Sequence, residues 1–274
     1  MQTGSSAWWM LVDRVRERAE SAGLVGPAAT LMACPGRASP FIVICRDEAG
    51  EPENERAATG VMPVILGDAD PDGQRRVALV QRPLVTGHLR LARRRMCRRQ
   101  GGLDADDFSL LWRCLQGRDA LAMVPARPDG WAEMPRTMDL LPLPLHPQLG
   151  LPAASALIHA DLRNQMGCVP GWAFPHRIAA VSPDWLAQPD RGGRIAWVLY
   201  LRMRRALLGK RGDGDFHLLA TRRWMWMVPH PTGPALDYAG VFAVASSAQW
   251  ETLMHSGPWG ALRGVAEEEA SLCG

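Results

Sequence analysis

Apolar and polar residues alternate along the chain with two periods, one typical of amphipathic helices and the other of strands. Near the amino terminus, apolar residues recur at helical spacing after a pair of serines and stop at Gly23, which predicts a first helix. Asp104, with Asp107 in the following turn, predicts the start of a second helix that ends at Gly117. A third helix is predicted over 195–208, where apolar residues face arginines.

Short runs of apolar residues between turn residues predict the strands. The predicted strands are Phe41–Cys45, 77–80, Ala120–Val124, 138–141, 216–221, 224–229 and 239–244. The polar stretch 47–60 is predicted to be an exposed loop, the proline-rich stretch 142–152 a linker, and the segment after the last strand two short helices.

Composition narrows the class of protein without naming a function. The chain has 274 residues, of which 47% are hydrophobic and 22% charged, with a net charge of +3, as in an ordinary globular protein. Six cysteines show no Cys-x-x-Cys pair and no zinc spacing. The amino terminus lacks a signal-peptide pattern, and no apolar run reaches membrane-spanning length. We therefore expect a cytoplasmic protein with reduced thiols, no metal and no cofactor.

Two segments carry a resemblance to a known family. Residues 131–144 read Trp-Ala-Glu-Met-Pro-Arg-Thr-Met-Asp-Leu-Leu-Pro-Leu-Pro, and residues 216–229 read Phe-His-Leu-Leu-Ala-Thr-Arg-Arg-Trp-Met-Trp-Met-Val-Pro. The second resembles Tyr-Asn-Leu-Leu-x-Thr-x-x-Trp-Met-x-x-Val-Pro of the ATP adenylyltransferases, the diadenosine tetraphosphate (Ap4A) phosphorylases of the histidine-triad superfamily. The first resembles that family's active-site strand, Gly-Ala-Ser-Gln-x-His-Lys-His-Leu-Gln-Leu-Val-Pro-Leu-Pro.

The resemblance implies both a fold and an activity. The expected fold is α+β, a histidine-triad-like antiparallel sheet flanked by helices. Residues 1–150 are expected to form a histidine-triad-like amino-terminal part with a degenerate active-site strand, and residues 151–274 a carboxy-terminal part similar to ATP adenylyltransferase. The implied activity is nucleotidyl transfer.

The residues that perform this transfer in the family are replaced here. Pro135 and Thr137 stand at the positions of the two histidines, the second of which attacks the α-phosphorus in the family. A threonine hydroxyl stays un-ionised without an adjacent base, so we expect the transfer activity to be lost. Glu133 and Asp139 replace two neutral amides, and a carboxylate ~4 Å from a phosphate repels each unit charge by about 1–4 kcal/mol.

Seven residues are candidates for a remodelled site. The candidate catalytic residues are Glu133, Thr137, Asp139 and His230, and the candidate ligand-binding residues are Arg82, Trp131 and Arg136. The two carboxylates are either a new acid–base pair or the product of drift. His230 stands where the family has arginine, either near the site or solvated in a turn. Trp131 replaces a small residue and favours an apolar or aromatic ligand over a phosphate.

Three hypotheses for the function follow. The first is a diverged homologue of ATP adenylyltransferase that has lost its nucleophile and keeps a small-molecule pocket. The second is an enzyme of another class that uses the remodelled pocket on a non-nucleotide substrate, and the third is a structural or partner-binding protein. The arginine cluster at 93–99 has no aromatic residues between its charges, so no nucleic-acid partner is expected, and neither is a membrane. The sequence leaves the oligomeric state open.

Overall fold

A computed structural model describes most of the chain. The described residues are 5–36, 39–45, 64–68, 75–93, 102–126, 137–209, 215–229, 233–244 and 246–272. The side chains of 5–6, 67–68, 93 and 263–272 are not among them. The predicted loop 47–60 lies outside the described residues.

Six helices are found in this part of the chain. They are α1 (Ser5–Ser21), α2 (Ala105–Gly117), α3 (Ala153–Leu157), α4 (Pro183–Ala187), α5 (Pro189–Leu208) and α6 (Ser247–Leu272). The capping box predicted for α2 is present: the Asp104 carboxylate accepts from two backbone N–H groups of the first turn, and the Asp107 side chain accepts from the Asp104 N–H. Helix α6 is broken at Gly257, whose φ is 72°, so the two predicted terminal helices meet at a kink.

Thirteen strands form two sheets within the described residues. They are β1 (Thr30–Cys34), β2 (Phe41–Cys45), β3 (Val64–Asp68), β4 (Arg75–Leu79), β5 (Leu89–Arg93), β6 (Ala120–Val124), β7 (Thr137–Pro142), β8 (Asp161–Arg163), β9 (Met166–Cys168), β10 (Arg177–Ala180), β11 (Phe216–Ala220), β12 (Trp224–Pro229) and β13 (Val241–Phe242). Ten of them make one antiparallel sheet in the order β3-β4-β5-β7-β6-β11-β12-β10-β9-β8. A smaller sheet has the order β1-β2-β13.

Each face of the large sheet packs against a different layer. Met138 and Leu140 belong to the core that includes Trp112 of α2 and Tyr200 of α5, whereas Leu141 belongs to the core that includes Phe41 of the small sheet. Side chains alternate between faces along a strand, so one strand supplies both cores. The expected α+β fold with an antiparallel sheet flanked by helices is confirmed.

Two predicted elements have different limits in the structure. Helix α5 begins at Pro189 rather than at 195, because two glycines that weaken a helix on propensity are required here for packing. A Cβ on Gly192 would lie 2.5 Å from the Trp185 Cα. The strand predicted over 239–244 is only Val241–Phe242, because a 3-10 turn (Asp237–Ala239) precedes it.

The ten-stranded sheet contains strands from both sides of residue 150, and β6 pairs directly with β11. The division into parts 1–150 and 151–274 stays a prediction. Among the helices in the described ranges, none combines the length and the apolar character needed to cross a membrane.

Candidate functional site

Strand β7 carries two of the altered positions of residues 131–144, Thr137 and Asp139, on one face. Met138 and Leu140 point into the helix-covered core, so Thr137 and Asp139 point to the opposite face. Thr137 is partly exposed at the start of the strand, and Asp139 is buried, with 9% of its surface accessible. The candidate site is therefore the region of this second face around the start of β7.

Asp139 is held by an arginine from the neighbouring strand. Arg90 of β5 lies directly opposite Asp139 in the sheet. Its Nε donates to Asp139 Oδ1 at 2.7 Å and its Nη2 donates to Oδ2 at 3.1 Å. This bidentate geometry is the strongest arrangement for an arginine and a carboxylate. The negative charge expected at residue 139 is thus balanced, which corrects the expectation that this carboxylate repels phosphate with its full charge.

The surroundings keep Asp139 ionised. Burial alone would raise the pKa of this carboxyl, but the attraction of His88 and of Arg90 outweighs burial and lowers the pKa from 3.8 to about 2. The Nε2 of His88 lies 3.8 Å from Asp139 Oδ1, which is longer than a hydrogen bond. A carboxylate with so low a pKa is a weak proton acceptor at neutral pH.

His88 precedes β5 and is nearly enclosed. The backbone N–H of Leu84 donates to His88 Nδ1 at 3.3 Å. In the neutral ring the hydrogen therefore lies on Nε2, the nitrogen that faces Asp139. His88, Arg90 and Asp139 form a cluster on one face, which we call the His88 cluster.

A second histidine lies on the same face of the sheet. Leu219 of β11 lies opposite Met123 of β6, which in turn lies opposite Asp139 of β7, so these residues share a face. His217 is two residues before Leu219 and therefore lies on the same face. Both ring nitrogens of His217 are occupied: Nδ1 accepts from the Ala126 N–H at 2.6 Å, and Nε2 donates to the Gly233 carbonyl at 2.7 Å. An imidazole with both nitrogens engaged offers no lone pair for attack on phosphorus.

One further carboxylate lies near His217. Asp237 opens the 3-10 turn, and a Cβ built on Gly233 would lie 2.8 Å from its Oδ2. The next residue, Tyr238, packs against the His217 ring with centroids 5.5 Å apart. Burial raises the pKa of Asp237 from 3.8 to about 7.

The seven predicted site residues divide into two groups. Thr137 and Asp139 lie on one face, and Arg82 is exposed on the loop between β4 and β5. No ion pair joins Arg82 to Asp139. Four of the predicted residues lie outside the described part of the chain: Trp131, Glu133, Arg136 and His230. A cavity that these residues would share with Thr137 and Asp139 stays a prediction.

Sequence reasoning missed Arg90, the partner of Asp139. A signal was present, because His88, Arg90 and Ala92 alternate with leucines and so share a face. The pairing of that face with residue 139 depends on the register of β5 against β7, which no local pattern gives. Across the described ranges, no three His, Cys, Asp or Glu side chains group closely enough to hold a metal ion.

Solved structures of one enzyme resemble the chain over nearly its whole length. The crystal structure of yeast Ap4A phosphorylase Apa2 in complex with AMP has a TM-score of 0.71 at 15% identity and covers 96% of both chains. The complex of that enzyme with Ap4A has a TM-score of 0.71 at 16% identity and covers 96% of this chain and 98% of the other. A further crystal structure of yeast Ap4A phosphorylase Apa2 has a TM-score of 0.66 at 15% identity and covers 93% of this chain and 92% of the other.

The chain has the fold of an Ap4A phosphorylase. This confirms the fold class that was predicted from two sequence segments. Residues 216–229 form β11 and β12, and residues 131–144 include β7. At 15–16% identity the likeness to the Ap4A phosphorylase concerns the fold. The sequence matches no protein-family model and no curated protein.

Proposed function

We propose that this protein is a diverged relative of the Ap4A phosphorylases that binds an adenine nucleoside or nucleotide and does not carry out histidine-dependent nucleotidyl transfer. One observation carries the proposal. On the face of the sheet that bears the altered strand, the described residues place threonine and an arginine-paired carboxylate, and the two histidines nearby are held in other contacts.

A nucleotidyl intermediate needs an imidazole with a lone pair that can approach phosphorus in line with the leaving group. His217 has both nitrogens in hydrogen bonds to the backbone. His88 has its unprotonated nitrogen on the Leu84 N–H, so the side that faces the sheet carries a hydrogen rather than a lone pair. Asp139 lies two residues from Thr137 on the same face, but with a pKa of about 2 it is too weakly basic to activate the Thr137 hydroxyl.

The ligand class is supported by the fold. Yeast Ap4A phosphorylase has been solved with AMP and with Ap4A, and this chain covers that enzyme almost completely. The pairing of Asp139 with Arg90 weakens the sequence-based objection to a ligand that carries phosphate, since the two side chains together are neutral. Trp131, Glu133, Arg136 and His230 are proposed to complete the site, with Arg82 at its edge.

The proposal is tested by measuring binding and turnover separately. Purified protein is titrated calorimetrically with adenosine, AMP and Ap4A, and is incubated with Ap4A and phosphate while ATP and ADP are followed by chromatography. We expect binding of at least one adenine compound and no phosphorolysis. Yeast Ap4A phosphorylase serves as the positive control for turnover.

Turnover on the order of 1–1000 per second, as in typical enzymes, would contradict the proposal. In that case Thr137→Val, which keeps the shape and removes the hydroxyl, would show whether Thr137 is the nucleophile. Absence of binding by all three compounds would favour the hypothesis of a structural or partner-binding protein.

A further inference from the structure

The ring of His88 presents a buried hydrogen-bond donor without an acceptor. Only 6% of the residue is exposed, and its Nε2 has no hydrogen-bond partner within the described part of the chain. The ring cannot gain one by exchanging its hydrogen to Nδ1, because Nδ1 accepts from the Leu84 N–H. A buried donor without a partner is costly, so such a group calls for an acceptor that is supplied from elsewhere.

Asp139, next to His88, has an oxygen that can accept a further hydrogen bond. Its Oδ1 lies 3.8 Å from His88 Nε2 and already accepts from Arg90, and a carboxylate oxygen can accept a second hydrogen bond. The His88 Nε2–H donor and the Asp139 Oδ1 acceptor are too far apart for a direct hydrogen bond. They are close enough for one oxygen atom of a bound molecule to contact both. An alcohol oxygen can do so, because it accepts from an N–H and donates to a carboxylate.

We infer that the His88 cluster recognises a hydroxyl group of the bound molecule, so that the ligand presents an alcohol rather than a phosphate oxygen to this part of the sheet. An ionised phosphate oxygen could accept from His88, but it has no hydrogen to donate to Asp139 Oδ1. The inference rests on the proposed function, because it assumes an adenine ligand on this face. It adds which chemical group of that ligand is selected.

Two side chains on the face of the His88 cluster are in contact with solvent. The Arg90 side chain is 35% exposed, and Thr137, on the same face and two residues before Asp139, is partly exposed. The cluster therefore lies just below the surface rather than deep in the core. A water molecule has the same pair of hydrogen-bonding capacities as an alcohol, and it is the competing occupant that the experiment must separate.

The test uses the full chain and four uncharged probes. Adenosine and its 2′-, 3′- and 5′-deoxy analogues are titrated calorimetrically into the unaltered protein and into His88→Phe. We expect one deoxy analogue to bind the unaltered protein at least about tenfold more weakly than adenosine, as for the loss of a hydrogen bond to a charged group. In His88→Phe that analogue and adenosine should bind equally. A general effect of the substitution on folding weakens both ligands alike and cancels in this comparison.

A second measurement does not depend on the variant. The Nε2–H resonance of His88 in the unaltered protein should shift when adenosine is added and should not shift with the discriminating deoxy analogue. Unchanged resonance with both would mean that water fills the position, and would overturn the inference.

The remaining outcomes also decide the question. Equal binding of adenosine and all three analogues overturns the inference and leaves the proposed function standing. A discrimination that persists in His88→Phe places the hydroxyl elsewhere and likewise overturns it. If no adenine compound binds, the proposed function fails and this inference fails with it.

Discussion

Arg90 and Asp139 face each other from directly opposed positions of β5 and β7, joined by two hydrogen bonds. The Asp139 pKa is lowered from 3.8 to about 2, so the folded state binds this proton less tightly than the unfolded state does. The ionised Asp139 therefore stabilises the folded state above pH 4, and this stabilisation is lost as the pH falls towards 2. By linkage it contributes about 2 kcal/mol to the free energy of unfolding. Urea unfolding should show Asp139→Asn less stable than the unaltered protein at pH 7 and nearly equal to it at pH 2. A difference that stays constant over this range would mean that the ion pair is not the cause.

The same substitution should change the preference for charged ligands. Asp139→Asn keeps the shape of the side chain and removes one negative charge from beside the Arg90 guanidinium. The affinity for AMP should rise by about 1–2 kcal/mol, the interaction of one unit charge near a protein surface. Adenosine is the control, since it has no charge to gain from Arg90. Equal changes for AMP and adenosine in a calorimetric titration would show that the phosphate does not approach this pair.

Asp237 should have the opposite dependence on pH. Burial raises its pKa from 3.8 to about 7, so the folded state favours the protonated form and stability is lost as the pH rises from 4 to 7. Asp237→Asn should therefore stabilise the protein at pH 8, by about 2–4 kcal/mol, and have little effect at pH 4. Thermal or urea unfolding at the two pH values checks this. A substitution effect of equal size at both would contradict the shift.

The contact between α2 and α5 depends on a position without a side chain. A methyl group at Gly193 would overlap the Ser109 Oγ and lie 2.5 Å from the Ala105 carbonyl oxygen. Gly193→Ala should destabilise the fold by about 1–3 kcal/mol or more, although alanine favours helices, because overpacking outweighs propensity. Gly26→Ala is a matched control, since its nearest contact would be 3.5 Å away. Similar unfolding midpoints for the two variants would show that the helices can separate without cost.

The elements that the sequence predicted well are those with a local signal. The Asp104 capping box and the apolar run of β6 were recognised because each depends on neighbouring residues only. Strand β7 was recognised in the same way, with limits that differ by one residue at each end. The short strands β8, β9 and β10 were not predicted, because runs of three or four residues carry too little periodicity.

The candidate site was harder to predict than the fold. The identity of residues 137 and 139 could be read from the segment, and so could the loss of imidazole at these positions. What Asp139 does depends on Arg90, 49 positions earlier in the chain, and on the register between their strands. Sequence alone therefore gave the carboxylate an unbalanced charge. The predicted start of α5 was wrong for a related reason. Its two glycines are required by packing against other helices, and helix propensity carries no information about such packing.

The two end strands of the ten-stranded sheet oppose the addition of another strand. At one end, β3 carries a register shift between Ile65 and Gly67, and such bulges interrupt the regular row of backbone groups that an incoming strand would need. At the other end, β8 is three residues long and exposes the charges of Asp161 and Arg163. A sheet this wide would otherwise present two templates for intermolecular pairing, so these short, irregular and charged edges protect the folded chain against aggregation.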